Sequence, residues 1–176
     1  MLFRSDMNKK TKYNLIGIVT AVLLVALDQW TKLLAVKHLM NQKPFVIWDG
    51  VFELHYLENR GAAFGILQGQ KLIFLLCTVL VLVVLAFYYN RMPEDKKYLP
   101  LRVVGVLLGA GAVGNLIDRM AQSYVVDFLY FKLIDFPIFN VADCYVTAGA
   151  ILLAVLILFV YKDEELGFLS LKKKHE

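Results

Sequence analysis

The sequence predicts an all-α integral membrane protein: four transmembrane helices with a small extracytoplasmic β-rich segment. Three observations carry that expectation. Hydrophobic residues make up 59% of the 176 and charged residues 19%, with a mean hydropathy of +0.61, whereas a soluble domain is nearer half apolar and a quarter charged. Four apolar runs have roughly the 20-residue length that crosses a hydrocarbon core about 30 Å thick. Finally, the basic residues behind the net charge of +4 sit in short clusters between those runs. That is the pattern of loops on one side of a membrane, and it argues against a nucleic-acid partner. A single membrane-embedded domain over residues 1–176, present as a monomer, is the expected organisation.

Residues 1–13 are polar and basic, and the first expected span is 15–36. A basic start before an apolar run resembles a secretory leader. This run is long, carries Asp28 and Lys32 and has no small-residue cleavage site, so it reads as a retained span. Asp28 and Lys32 are four residues apart on one helical face, which by itself reads as an ion pair near the water boundary. The extracytoplasmic segment 37–71 mixes polar with β-branched and aromatic residues. Short strands are expected at Phe45–Trp48 and Val51–Leu57, turning at Asp49-Gly50. Trp30 and Trp48 suit a membrane interface. Asn59, Gly61 and Gly65 surround a small-residue stretch where the backbone can bend or come close to another chain.

The second span, 72–89, has no charge, and a short basic loop follows it. The third, 101–117, carries Gly105 and Gly109 in GxxxG spacing, repeated by Ala110 and Gly114; helix packing accounts for these glycines. The fourth, 141–161, opens on Asn140 as a cap with Asp143 in its first turn. Lys162 and Lys172 to Lys174 mark a basic tail. Twelve of the lysines and arginines lie in the two terminal segments and residues 90–102, against seven elsewhere. The positive-inside rule therefore puts both termini in the cytoplasm.

Topology then gives depth. Asp28 lies 13 residues into the first span and Asp118 17 residues into the third. At 1.5 Å per residue they stand roughly 20 and 25 Å above the cytoplasmic side. The fourth span descends from outside, so Asp28, Lys32, Asn115, Asp118, Arg119, Asn140 and Asp143 share the outer half of the membrane. Asp127, among Val125, Val126, Phe128 and Leu129, lies close to the same surface. Ionisable groups in a bilayer are expensive and mark function by default.

Two close carboxylates in a poorly hydrated site resist double ionisation, so one keeps a proton while the other is charged. The charged one can take a proton from water, and the neutral one can polarise a scissile carbonyl. Such a pair hydrolyses peptides without a metal, a serine or a cofactor. Asp143 is favoured as one member, with a helix cap as its simpler role. Asp118 precedes Arg119, whose charge would keep it ionised, whereas Asp127 has no cation within four residues. Asp127 with Asp143 is the preferred pair, and Asp118 with Asp143 the second choice. Glu53, Glu58 and Asp135 read as solvated loop residues and Cys144 as a small packing residue. Neither CxxC nor HExxH occurs, and Cys77 and Cys144 both fall in apolar runs, so neither a metal site nor a disulfide framework is expected. Two other functions fit the same charges. A small transporter or proton channel would relay ions through the carboxylates, although the charges gather at one boundary and no inverted repeat is present. A non-catalytic scaffold would use them as caps and salt bridges.

Five ordered motifs add a sharper signal. Asp28, Thr31 and Lys32 form DxxTK; Asn59, Gly61, Ala62, Ala63, Phe64 and Gly65 form NxGAAFG. Asn115, Asp118 and Arg119 form GNxxDR, Asp127 and Phe128 close VVDF, and Phe139, Asn140, Ala142 and Asp143 form FNxAD. In these motifs, and over essentially its whole length, the chain resembles the bacterial lipoprotein signal peptidases, the signal peptidase II family. The resemblance implies a catalytic pair Asp127 and Asp143, with Asp28, Lys32, Asn59, Gly61, Asn115, Asp118, Arg119, Asn140 and Ala142 orienting the pair and the substrate. It implies no metal or cofactor, and a site near the outer face of the bacterial cytoplasmic (inner) membrane. The implied partners are membrane lipid and prolipoproteins carrying diacylglyceryl on the cysteine just past the cut, with globomycin-class cyclic peptides as inhibitors. The loop 37–70 is expected to cover the substrate, its Asn59–Gly65 portion lying close to it.

Overall fold

The computed structural model describes residues 8–61 and 71–170. Ala62, Ala63, Phe64 and Gly65 of the NxGAAFG motif, and the lysines Lys172 to Lys174, lie outside the described residues.

Helix α1 (Lys9–Leu39) starts at Asn8, whose side-chain oxygen accepts from the Lys10 N–H at 3.1 Å. Its 31 residues exceed what a hydrocarbon core requires. Helix α2 spans Lys71–Arg91 and α3 Leu99–Gln122. Pro100 sits in the first turn of α3, where its missing N–H is not needed. Helix α4 (Val141–Val155) runs on through a π turn at Leu156–Val160. All four are long and apolar enough to cross a membrane. The distribution of side chains fits a lipid solvent. Val22, Leu23, Leu158 and Phe159 point outward, while Asp28, Lys32, Arg102, Asp118, Asp127 and Asn140 are buried. In hydrocarbon the polar groups must find their partners inside the protein.

Helix α3 is central and packs on α1, α2 and α4. Close approach depends on Gly111 and Gly114. A Cβ at Gly111 would collide with the Ala142 carbonyl oxygen, and one at Gly114 with the Asp28 carboxylate. The packing expected of the small-residue repeat holds at Gly105 and Gly114 but not at Gly109. Gly105 receives the Tyr89 ring from α2, but Gly109 faces open space. The tight seam lies on the Gly111–Gly114 side because that face meets α1 and α4.

Strands β1 (Phe45–Trp48) and β2 (Phe52–Asn59) form the expected hairpin. Gly50 takes the left-handed conformation its turn demands, with φ +68°. A third strand, β3 (Val125–Phe131), was not expected. It pairs antiparallel with β2, setting Leu57 opposite Asp127 and Asn59 opposite Val125. Val125 through Phe128 are all buried, so the strand lacks the alternation that reveals a half-exposed one. Only Ser123 and Tyr124 separate β3 from α3. Ser123 makes the corner with φ +68°. The sheet packs on the end of α1, where Ala35, Val126 and Phe128 form a cluster. Glu53 is not solvated as expected: it is buried on β2 and pairs with Lys132 at 2.6 Å. Glu58 also belongs to β2 and meets Arg60 at 2.8 Å.

Candidate active site

Two helices contribute a buried ionic cluster. Lys32 of α1 donates to Asp28 Oδ2 at 2.9 Å, to Asp118 Oδ2 of α3 at 3.0 Å and to Asn115 Oδ1 at 3.0 Å. An ammonium has three donors, and all three are used. The pairing of Asp28 with Lys32 is therefore present, but buried, not at a water boundary. The cation that holds Asp118 is Lys32, not its sequence neighbour Arg119. One turn of helix separates side chains that share a face, whereas adjacent residues diverge by about 100°. Arg119 instead lies over the Phe74 ring, 4.7 Å from its centroid, with Nη2 3.5 Å from the Gly61 carbonyl.

The cluster also ties down backbone. Asp28 Oδ1 accepts from the Ala142 N–H at 2.9 Å, fixing the start of α4. Asp118 Oδ2 accepts from the Val126 N–H at 3.1 Å, fixing β3. Gln29 lies within hydrogen-bond distance of Asp28, Asp118 and the Gly114 carbonyl. The sequence reading missed Gln29. The available signal was a carboxamide beside Asp28 in an apolar span.

Those two anchored segments carry Asp127 and Asp143. Asn140 Nδ2 donates to Asp127 Oδ1 at 2.6 Å and to Asn115 Oδ1 at 3.0 Å. Asn115 Oδ1 faces Lys32, so its Nδ2 faces the other way and donates to Asp143 Oδ1 at 2.8 Å. Asn59 Nδ2 donates to Asp127 Oδ2 at 2.8 Å, and Asn59 Oδ1 accepts from the Gly61 N–H. Asp143 also forms a reciprocal cap with Asn140, so the simpler role foreseen for it is real and coexists with its place beside Asp127. Burial pushes the Asp127 carboxyl up to about 7; the hydrogen bond from Asn59 opposes the rise and the charge of Asp143 adds to it.

Both aspartates line a cavity of about 940 Å³. Asn59, Gly61 and Arg119 line it too, and much of the rest is apolar, including Phe131, Ile134, Phe139 and Ile151. Asp28, Lys32, Asn115, Asp118, Asn140 and Ala142 lie behind this wall. Ala142 is fully buried against Gly114, which leaves it a packing and backbone role. Cys144, expected to be a packing residue, is exposed and lines the cavity. A residue one step past Asp143 turns toward the cavity mouth because α4 forms one of its sides. Among the described residues no cluster of histidine, cysteine and carboxylate has the arrangement to hold a metal ion.

Fold and site together define a polytopic membrane protein with a buried polar centre opening on a large apolar cavity. The comparisons with known proteins narrow this. The family model described as signal peptidase (SPase) II matches residues 20–159. The lipoprotein signal peptidase of Caldanaerobacter subterraneus subsp. tengcongensis is 46% identical over 144 residues, covering 81% of this chain and 96% of the relative. That of Streptococcus thermophilus is 43% identical over 150 residues, covering 85% and 95%. A bacterial membrane enzyme solved by the in meso method at 1.9 Å aligns with a TM-score of 0.72 and 34% identity, over 83% of this chain and 94% of that one. A second, solved at 2.3 Å, aligns with a TM-score of 0.70 and 33% identity, over 92% and 93%. The chain belongs to the signal peptidase II family and is a membrane peptidase.

Proposed function

We propose that the chain is an aspartic endopeptidase that removes the signal peptide from diacylglyceryl-modified prolipoproteins, cutting before the lipidated cysteine. One observation carries this reading: Asp127 and Asp143 reach the same cavity, joined through Asn140 and Asn115, with no lysine or arginine within ion-pairing distance of either among the described residues. The ionised carboxylate takes a proton from water as the water oxygen bonds to the scissile carbonyl carbon. The neutral carboxyl gives its proton to the carbonyl oxygen. The C–N bond then breaks, the amine nitrogen receives a proton, and the pair is left sharing one. It titrates as a unit. The apolar wall suits acyl chains and a signal helix arriving sideways from lipid. Arg119 and the Asn59–Gly61 backbone border the polar end.

On this reading both termini face the cytoplasm and the cavity lies near the outer face of the bacterial inner membrane. The whole chain acts as one domain. The test is cleavage of a diacylglyceryl-modified prolipoprotein by wild type and by Asp127→Asn, Asp143→Asn and Asp118→Asn, with folding and substrate binding measured for each. Loss of turnover with retained binding in the first two, and residual turnover in the third, is the expected result. Normal cleavage by Asp127→Asn with a dead Asp118→Asn would move the pair to Asp118 and Asp143.

A further inference from the structure

A second polar centre lies at the other end of the bundle. Arg102 is in the first turn of α3, 16 residues before Asp118, or about 24 Å along the axis. It is 4% exposed. Nη2 donates to the carbonyl oxygens of Met92 at 3.1 Å and Pro93 at 3.3 Å. Nε and Nη1 are buried and have no hydrogen-bond partner among the described residues. Three of the five guanidinium N–H groups are thus unanswered. The faces of the group are answered: its carbon lies 4.8 Å from the Tyr13 ring centroid and 5.1 Å from that of Tyr89. Tyr89 is held there by a slot. A Cβ at Gly17 or at Gly105 would collide with it, and its hydroxyl donates to the Tyr13 carbonyl at 3.2 Å.

Arg102, Tyr13 and Tyr89 line a separate cavity of about 160 Å³ between α1 and α3. Apart from Thr20, the rest of its wall is apolar, with Ile16, Leu24, Val103 and Val106. Ile16 and Val103 are also half exposed on the outside of the bundle, so the cavity runs into the surface that lipid covers. A buried guanidinium without an acid is costly, and its open donors match phosphate oxygens. A soluble anion would satisfy the charge and leave the apolar wall unused.

We propose that this cavity binds one phospholipid, its phosphate on Arg102 between the two tyrosines and an acyl chain along the α1–α3 groove. The site is distinct from the carboxylate cavity and does not depend on the reaction assigned there.

The test is native mass spectrometry of the full chain released from detergent, titrated with phosphatidylglycerol, with diacylglycerol of the same chains, and with inorganic phosphate. Wild type should retain a single phosphatidylglycerol at least about tenfold more tightly than diacylglycerol, the scale of one hydrogen bond to a charged group. Arg102→Gln should erase that preference. Equal retention of the two lipids by wild type, or an undiminished preference in Arg102→Gln, would overturn the proposal. So would displacement of phosphatidylglycerol by equimolar inorganic phosphate, which would make this an anion site without a lipid. If Arg102→Gln does not fold, a diazirine-bearing phosphatidylglycerol supplies the answer on wild type. Crosslinks confined to residues 13–24 and 99–107 support the site, and crosslinks absent from both segments refute it.

Discussion

The molecule holds two pairs of carboxylates, Asp28 with Asp118 and Asp127 with Asp143, and they are treated in opposite ways. Asp28 and Asp118 share one lysine whose three donors are all consumed, and their remaining oxygens accept from backbone N–H groups and Gln29. Asp127 and Asp143 are held by asparagine amides, with Lys32 one amide away from Asp143 and two from Asp127. A carboxylate locked to an ammonium and to backbone N–H groups is a structural fixture. Asp127, buried and held by neutral donors, has its carboxyl pushed up to about 7 and can gain and lose a proton near neutral pH. The first set positions the two segments that carry the second.

The largest effect is expected at Asp127 and Asp143. Asp127→Asn and Asp143→Asn should each lower turnover by about 10³-fold or more, at the upper end of what general acid–base groups supply, with substrate binding and thermal unfolding little changed. A variant that loses its fold instead would place that aspartate with the structural set.

The first set should fail by stability. Lys32→Met leaves two buried carboxylates unpaired and should cost about 3–5 kcal/mol, read as a lower Tm in detergent. The triple variant Asp28→Asn, Lys32→Met, Asp118→Asn removes the charges together and should recover most of that loss. Full stability with no cleavage in Lys32→Met would show that the lysine belongs to the chemistry.

The pH profile sharpens the distinction. With the Asp127 carboxyl pushed up to about 7, the pair holds its shared proton below that pH and loses it above. Cleavage should therefore fall as pH rises through about 7. The linked stability has the same sign. The folded state keeps this proton above the ordinary carboxylate range, so its contribution is present at acid pH and fades as pH rises through about 7. A rate flat from pH 6 to 9 would contradict the assignment.

The smallest effect is expected at Asn59. Its hydrogen bond opposes the rise at Asp127, so Asn59→Ala should move the falling limb to higher pH and slow cleavage about tenfold. A limb displaced to lower pH would show that Asn59 acts through something other than this bond.

Hydropathy, charge clusters and five motifs were enough to read four membrane helices, one hairpin and most of the polar residues later found in or behind the cavity, though not Gln29. Those features are local: a bilayer imposes a length and a composition on each span, and Asp49-Gly50 dictates its own turn. Other features depend on who faces whom. The sequence could not show that Lys32 pairs across to Asp118, because Asp118 has a nearer cation in sequence and pairing follows helix rotation. Nor could it reveal β3, whose buried run has no alternation until β2 lies beside it. Glu53 and Cys144 were misread for the same reason, since burial and access belong to the assembled molecule. Arg102 counted only as one more basic residue in a cytoplasmic loop. Two tyrosines, two glycines and a shallow cavity, brought together from three helices, are what turn it into a site.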